Sequence, residues 1–268
     1  LRQGTTDVQT TTTNSSGNYT FSNVCAGDYT VALISTKPMG GINSSDAGQV
    51  NSWSNSEVGG VWTTIEKVRF FAGDVAKDNY LLPVDASKIL AFFLNSWTSW
   101  ADHAPRNAES PNWTFWIPGT TSLNPTAGGL YPTITIPTTG TTITQNFYGL
   151  VTGDFNRSFT PASKAAAENL RLDYGQTVKT DDDGVVDLPV FVESDMTIGA
   201  VSLIMNFPAD KLEILGATIC SNAKEPLLYN IIGDELRIGW NSTAPFSLKA
   251  GDKLLTLKVR LIGALAKD

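Results

Sequence analysis

The chain has 268 residues and a formal net charge of −7. Its length predicts about two domains with separate cores, and an acidic chain without a long Lys or Arg run is not expected to bind nucleic acid. No stretch approaches the roughly 20 apolar residues of a membrane-spanning helix. Charged residues are 17% of a composition rich in Thr, Ser, Asn and Gly, which favours a β-rich extracellular protein.

The first residues alternate between apolar and polar side chains and are broken at Ser-Gly and Gly-Asp turns. This pattern, clearest over residues 17–24 and 26–31, predicts a β meander. It resembles the repeat B-type and carboxypeptidase-regulatory-like sandwiches of surface proteins. Similar alternation returns in residues 113–148 and resembles the closing strands of that sandwich. We therefore predict one incomplete sandwich from residues 1–34 and 106–152, interrupted by an insert.

The insert, residues 35–105, has a helical period instead. Asp46-Ala and Asp85-Ala each begin an amphipathic pattern, and the second pattern places Ile89, Leu90 and Phe93 on one apolar face. We interpret the insert as two copies of one loop-helix unit.

The twelve residues before the second helix have the spacing of a calcium loop. Asp74, Asp78 and Asp85 occupy positions 1, 5 and 12, and Tyr80 at position 7 offers its carbonyl oxygen. Calcium takes six to eight oxygen ligands at about 2.3–2.6 Å, and three carboxylates in register repel one another without a cation. The segment resembles dockerin, which implies calcium as the cofactor. It departs from that pattern at two positions, Ala76 and Asn79.

Two further elements resemble parts of such loops. Residues 38–47 are similar to the Gly-Gly-Val-Asn-Ala-Thr-Asp-Ala element of dockerin-like repeats, but the upstream positions hold no anionic ligands. Residues 153–161 resemble the start of a calcium loop without its helix. We predict that this segment lends Asp154 and Asn156 to a second site, alongside Asp46. A simple helix cap is the alternative for Asp46 and for Asp85.

Strand patterns dominate the rest of the chain. After a calcium-loop-like linker, residues 153–160, the order of turns and strands over residues 161–268 resembles cohesin. In the last strand Leu255, Leu257 and Val259 share one face, as in a sandwich strand with one wet side. The acidic run 181–183 is expected to be a solvated turn. The fold class is thus mainly β: two β-sandwich domains, the second with an incomplete C-terminus and the first interrupted by a small α-helical dockerin-like calcium-binding insert.

An aromatic cluster gives an alternative ligand. Trp97, Trp100, Trp113 and Trp116 lie close in sequence, and such rings either stack on sugars or fill a core. We favour the core. His103 is the only histidine and is a weak acid–base candidate.

No nucleophile elbow or phosphate loop occurs in the sequence. A glycoside hydrolase would need two facing carboxyls, for which no motif is present. Cys25 and Cys220 are expected to be buried, unpaired thiols.

These patterns predict a non-catalytic extracellular or cell-surface bacterial module for calcium-stabilised protein–protein assembly, as a scaffold or filament subunit. Expected partners are other copies of the chain or a cohesin- or dockerin-bearing protein, with strand donation as one route. The alternative is a carbohydrate-binding accessory module of a secreted polysaccharide-degrading system, for which the partner is a glycan.

Overall fold

A computed structural model describes residues 1–54, 64–76, 80–101, 103, 112–117, 133–137, 142–159 and 183–263. Within these residues the chain forms twelve strands and three helices. Their bounds are β1 Arg2–Gln3, β2 Thr6–Asp7, β3 Gly27–Thr30, α1 Ser44–Ser54, α2 Thr64–Gly73, α3 Pro83–Leu94, β4 Trp113–Trp116, β5 Thr133–Ile136, β6 Tyr148–Val151, β7 Val185–Phe191, β8 Met196–Asn206, β9 Leu212–Ile219, β10 Leu228–Ile232, β11 Glu235–Leu248 and β12 Lys253–Leu261.

The N-terminal sheet has the strand order β2-β1-β3-β5. Strand β3 pairs antiparallel with β5, so that Tyr29 lies opposite Ile134 across roughly a hundred residues of sequence. A small core of Leu1, Tyr29 and Val31 covers one face of this sheet. The start of the chain therefore depends on a distant strand for its pairing.

The three helices share the second core with a two-stranded sheet, β4-β6. Helix α3 begins with a proline at its first turn, where a fixed φ and a missing N–H are tolerated. It ends where Ser96 takes a left-handed φ of 54°, while the Trp97 N–H donates to the Phe92 carbonyl at 3.1 Å. This is the hydrogen-bonded helix end that usually needs glycine.

The C-terminal residues form two three-stranded antiparallel sheets, β10-β11-β8 and β7-β12-β9. The alternating apolar residues of their facing sides make the third core, which includes Ile238, Trp240, Leu255 and Val259. A two-residue turn joins β10 to β11, and Gly233 supplies the positive φ of 65° that such turns require. This arrangement is a β-sandwich.

The mainly β fold class is confirmed: antiparallel sheets dominate, and the few helices lie together. Cys25 and Cys220 are both free thiols, but the expectation that they are buried is wrong, because Cys25 is exposed and Cys220 is half-buried. No helix among the described residues is long and apolar enough to cross a membrane. The domain boundaries stay predictions, as does the role of residues 181–182, which lie outside the described residues.

Candidate functional site

Helices α1 and α3 begin in the same way. Asp46 and Asp85 are each the third residue of their helix. Asp46 Oδ2 accepts a hydrogen bond from the Asn43 N–H, and Asp85 Oδ2 accepts one from the Leu82 N–H, both at 2.9 Å. Each carboxylate thus satisfies a backbone donor that the first helical turn leaves unpaired. The helix-cap interpretation of Asp46 describes this contact.

The second oxygen of each carboxylate reaches a separate segment. Asp85 Oδ1 accepts from the Ala76 N–H at 2.8 Å, and Asp46 Oδ1 accepts from the Asn156 N–H at 2.9 Å. Asp85 and Ala76 belong to one twelve-residue stretch, residues 74–85, which we call the second loop. Asp46 and Asn156 are 110 residues apart. The first loop is therefore split, and consists of residues 43–46 and 154–158.

The two loops also begin alike. The second loop begins at the pair Gly73-Asp74, and the distant segment of the first loop begins at the pair Gly153-Asp154. The Gly153 N–H donates to the Ala72 carbonyl at 2.8 Å, which places the two starts side by side. Val75 and Phe155, which follow the two aspartates, are both fully buried. The loops are two copies of one arrangement, one continuous and one assembled from distant segments.

Oxygen atoms converge at the start of the first loop. Asp154 Oδ1 accepts from the Ser158 N–H at 2.9 Å, and Asp154 Oδ2 accepts from the Phe159 N–H at 3.1 Å. The Asn156 side-chain oxygen accepts from the same Ser158 N–H at 2.8 Å. A Cβ on Gly41 would lie 3.0 Å from Asp154 Oδ1, and Gly41 has a φ of 81°. Only glycine fits at this position.

The first loop holds two buried carboxylates, Asp46 and Asp154. Burial is the main cause that raises the pKa of Asp46 to about 8, and the nearby charge of Asp154 adds to it. Burial also raises the pKa of Asp154. Among the described residues neither side chain forms an ion pair with Lys or Arg. Buried carboxylates in this condition are stabilised by a proton or by a cation.

The donor set of the first loop fits a hard cation. Calcium prefers oxygen ligands. The first loop offers oxygen atoms from two carboxylates, the Asn156 amide and the Ser158 hydroxyl. Asp154 and Asn156 lie beside Asp46, as predicted, although whether they bind metal stays a prediction. In the part of the chain that the structure describes, no three Asp, Glu, His or Cys side chains gather into a cluster that could hold a metal by themselves.

The second loop is described only in part. Asp74 and Asp85 are buried, and the Tyr80 side chain is 65% exposed. An exposed ring at this position is compatible with its expected role, because the predicted ligand is the backbone carbonyl. Asp78 lies outside the described residues. The three-carboxylate site at Asp74, Asp78 and Asp85 therefore stays a prediction.

The pKa of Asp46 predicts how stability varies with pH in the presence of a chelator. Native Asp46 holds a proton up to about pH 8, whereas the unfolded chain releases it near 3.8. The contribution of this group is therefore complete below about pH 4 and is lost as pH rises to about 8. We therefore expect the urea concentration at the unfolding midpoint to decrease as the pH is raised from 5 to 8. The Asp46→Asn variant is the control, and equal slopes for both proteins would contradict the assignment.

Helix α1 presents a small polar face to the C-terminal sandwich. The Ser44 N–H donates to Ser202 Oγ at 2.9 Å, and Asn51 Nδ2 donates to Asn241 Oδ1 at 3.1 Å. Between them, a Cβ on Gly48 would lie 3.2 Å from Asn241 Cβ. We call the outer surface of sheet β10-β11-β8 that receives these contacts the docking face.

Helix α3 reaches the docking face through the end of its backbone. Arg237 Nη1 donates to the Phe93 carbonyl at 2.9 Å, and Asn230 Nδ2 donates to Asn95 Oδ1 at 3.1 Å. Arg237 also pairs with Glu235. Gly239 permits this packing, because a Cβ there would lie 2.6 Å from Leu90 Cδ1. Both helices that the loops introduce thus contact the sandwich.

The tryptophans have different surroundings. Trp100 is fully buried and its Nε1 donates to the Thr152 carbonyl at 2.7 Å, while Trp113 is buried in the helical core. Trp97 is half-buried and stacks on His103 with ring centroids 3.5 Å apart. The Trp116 side chain lies outside the described residues. Trp100 and Trp113 therefore pack in the core, as favoured.

The contacts on the docking face were not predicted from the sequence. Small or polar residues follow one another at helical spacing in Ser44, Gly48 and Asn51. This spacing indicates a small polar stripe along one face of α1. Their partners Ser202 and Asn241 carry no such signal, because alternation alone does not tell a solvated face from a docked one.

One comparison with known proteins gives a match. Residues 1–81 match the family model of the SdrD B-like domain, a structural repeat of bacterial surface proteins. The chain is similar to that domain over 81 of its 268 residues. This confirms the predicted resemblance to a B-type repeat at residues 1–34, and the match also covers residues 35–81, which were predicted as part of the insert. No curated protein and no solved structure matches. The dockerin-like and cohesin-like resemblances receive no support from these comparisons and stay predictions.

Proposed function

We propose that the chain is a non-catalytic extracellular structural module of a bacterial surface, in which calcium-stabilised loops hold α1 and α3 in position for protein–protein assembly. The observation that carries the proposal is the position of the buried carboxylates Asp46 and Asp85 at the starts of the two helices that contact the docking face. The similarity to a surface-protein repeat supports the location.

In this proposal each loop holds one calcium ion. Asp154, Asn156 and Asp46 would bind it in the first loop, with Ser158 as a further oxygen donor. Asp74, Asp78, the Tyr80 carbonyl and Asp85 would bind it in the second. Calcium, when bound, supplies the positive charge that buried carboxylates lack.

The loops are connected to the sandwich through helices α1 and α3. Asp46 is two residues from Ser44, whose N–H donates to Ser202 of the sandwich. Asp85 begins the helix whose far end accepts hydrogen bonds from Arg237 and Asn230. A loop that holds its carboxylate in place therefore holds the helix on the docking face. The helices and the sandwich, held together in this way, then present the module to another copy or to a cohesin- or dockerin-bearing partner.

Hydrogen exchange of the full chain tests the proposal. In millimolar calcium we expect the amides of α1 and α3 to exchange at least about tenfold more slowly than in chelator, because the bound ion opposes local opening. The amides of sheet β7-β12-β9, which lies away from the loops, are the internal control and are expected to be unchanged. Equal protection of both helices in the two buffers would contradict the proposal.

One observation favours the carbohydrate-binding alternative. A cleft of about 420 Å³ lies between residues 38–42, the end of α3 and Arg237, and Trp97 lines it. A half-buried ring beside a cleft offers a sugar a stacking surface. If the alternative holds, soluble polysaccharide retards the chain in affinity electrophoresis, and Trp97→Ala abolishes the effect while Trp53→Ala, a half-buried ring elsewhere, does not.

A further inference from the structure

Strand β10 forms one edge of the sheet that bears the docking face. Four of its five residues are large apolar side chains that remain exposed: Leu228 at 46%, Tyr229 at 38%, Ile231 at 38% and Ile232 at 40%. They point to both faces of the sheet, since neighbouring side chains in a strand alternate. An edge with apolar residues on both sides is the type of surface that pairs with another strand.

The register shows which backbone groups face outward. Ile232 and Glu235 flank the two-residue turn, so Ile232, Asn230 and Leu228 exchange hydrogen bonds with β11 in this antiparallel pair. Tyr229 and Ile231 direct their N–H and C=O groups away from it. The Ile231 N–H donates to the Asn230 side-chain oxygen at 3.0 Å, in place of a neighbouring strand.

This edge lacks the usual protection. Natural edge strands carry charges or proline that prevent pairing, but Leu-Tyr-Asn-Ile-Ile has neither. In a chain with a net charge of −7, a neutral strand is where two copies approach with little repulsion. Asn230 also donates to the Leu94 carbonyl and to Asn95, so the edge is continuous with the contact between α3 and the docking face.

We propose that β10 is the surface by which one copy of the chain binds a second copy, through antiparallel pairing of the two β10 strands about a two-fold axis at Asn230. Leu228 of each copy then faces Ile232 of the other, and Tyr229 faces Ile231. The outward backbone groups pair across the axis, and the two sheets join into one of six strands, β8-β11-β10-β10-β11-β8. An isologous contact of this kind closes a dimer. The inference rests on the proposed assembly function and names its surface.

Charge-swapped variants test this contact in the full chain. We expect sedimentation equilibrium to show a dimer for the natural sequence. Leu228→Lys with Ile232→Lys, and separately Leu228→Glu with Ile232→Glu, are each expected to weaken the dimer at least about tenfold, because like charges then face each other across the strands. An equimolar mixture of the two variants is expected to restore a dimer that contains one of each.

Two further variants separate strand pairing from general surface effects. Ile262→Lys, at another exposed apolar residue, is expected to dimerise normally. Tyr229→Pro removes an N–H that points outward and makes no hydrogen bond to β11, so this variant is expected to weaken the dimer. Tyr229→Thr keeps that N–H and is expected to dimerise normally. A monomeric natural chain at high concentration, or a mixture that stays monomeric, would overturn the inference.

The calcium response of the same samples distinguishes the two proposals. If calcium still slows exchange in α1 and α3 but no dimer forms, the β10 contact is wrong and the proposed function stands. If the dimer forms and calcium has no effect, the calcium-stabilised loops are wrong and the β10 contact stands.

Discussion

Replacing Asp46 and Asp154 together by asparagine is expected to remove about half of the stability that calcium adds to the chain. A site at 100 times its dissociation constant adds about 2.7 kcal/mol to the free energy of unfolding. The first loop supplies both of its carboxylates from these two positions, which are buried and close enough to raise the pKa of Asp46. The measurement is the urea unfolding midpoint in calcium and in chelator.

Two matched variants identify the source of the loss. Asp85→Asn affects only the second loop, and we expect it to remove the other half of the calcium increment. Asp195→Asn removes an exposed carboxylate that pairs with Lys249, and the calcium increment is expected to be unchanged. If the double variant keeps the full increment, the first loop does not bind the ion.

Gly239→Val is expected to lower the free energy of unfolding by about 1–3 kcal/mol, the usual cost of overpacking a fitted interface. A Cβ at this position already lies 2.6 Å from Leu90 Cδ1 and 3.1 Å from Ser44 Oγ, so a branched side chain separates both helices from the docking face. The readout is the unfolding midpoint, together with faster hydrogen exchange in α1 and α3.

Gly216→Val is the matched control for this prediction. Gly216 lies in strand β9, and a Cβ added there would have no heavy atom within 4 Å outside its own chain neighbours. The same change there is expected to cost less than about 0.5 kcal/mol, as at most surface positions. Equal effects of the two variants would show that the docking contact contributes nothing.

Local patterns predicted what local interactions determine. The period of residues 85–94 predicted α3, which the structure begins at Pro83. Asp85 and Ala76 lie within one twelve-residue stretch, so the second loop was visible as a unit. The alternation that predicted strand β12 is also found, with Leu255, Leu257 and Val259 on the core side. In these elements each residue's role depends on neighbours a few positions away.

Contacts between distant residues were harder to predict. Reading back from Asp46 along the chain met no ligands, because the partners of that carboxylate come from residues 154–158. The resemblance of residues 153–161 to the start of a calcium loop was the clue, and it suggested the pairing without giving its geometry. The docking face had no clue of this kind, since strand alternation does not show what covers a surface.

The split of the first loop has a consequence for the order in which the nascent chain acquires structure. The second loop is complete once the ribosome has made residue 85, and it requires only a short closure. Helix α1 is made earlier, but the hydrogen bond from the Asn156 N–H to Asp46 cannot form until Asn156, 110 residues later, has been translated. During that interval its carboxylate remains hydrated, and the earlier helix is the later one to be anchored.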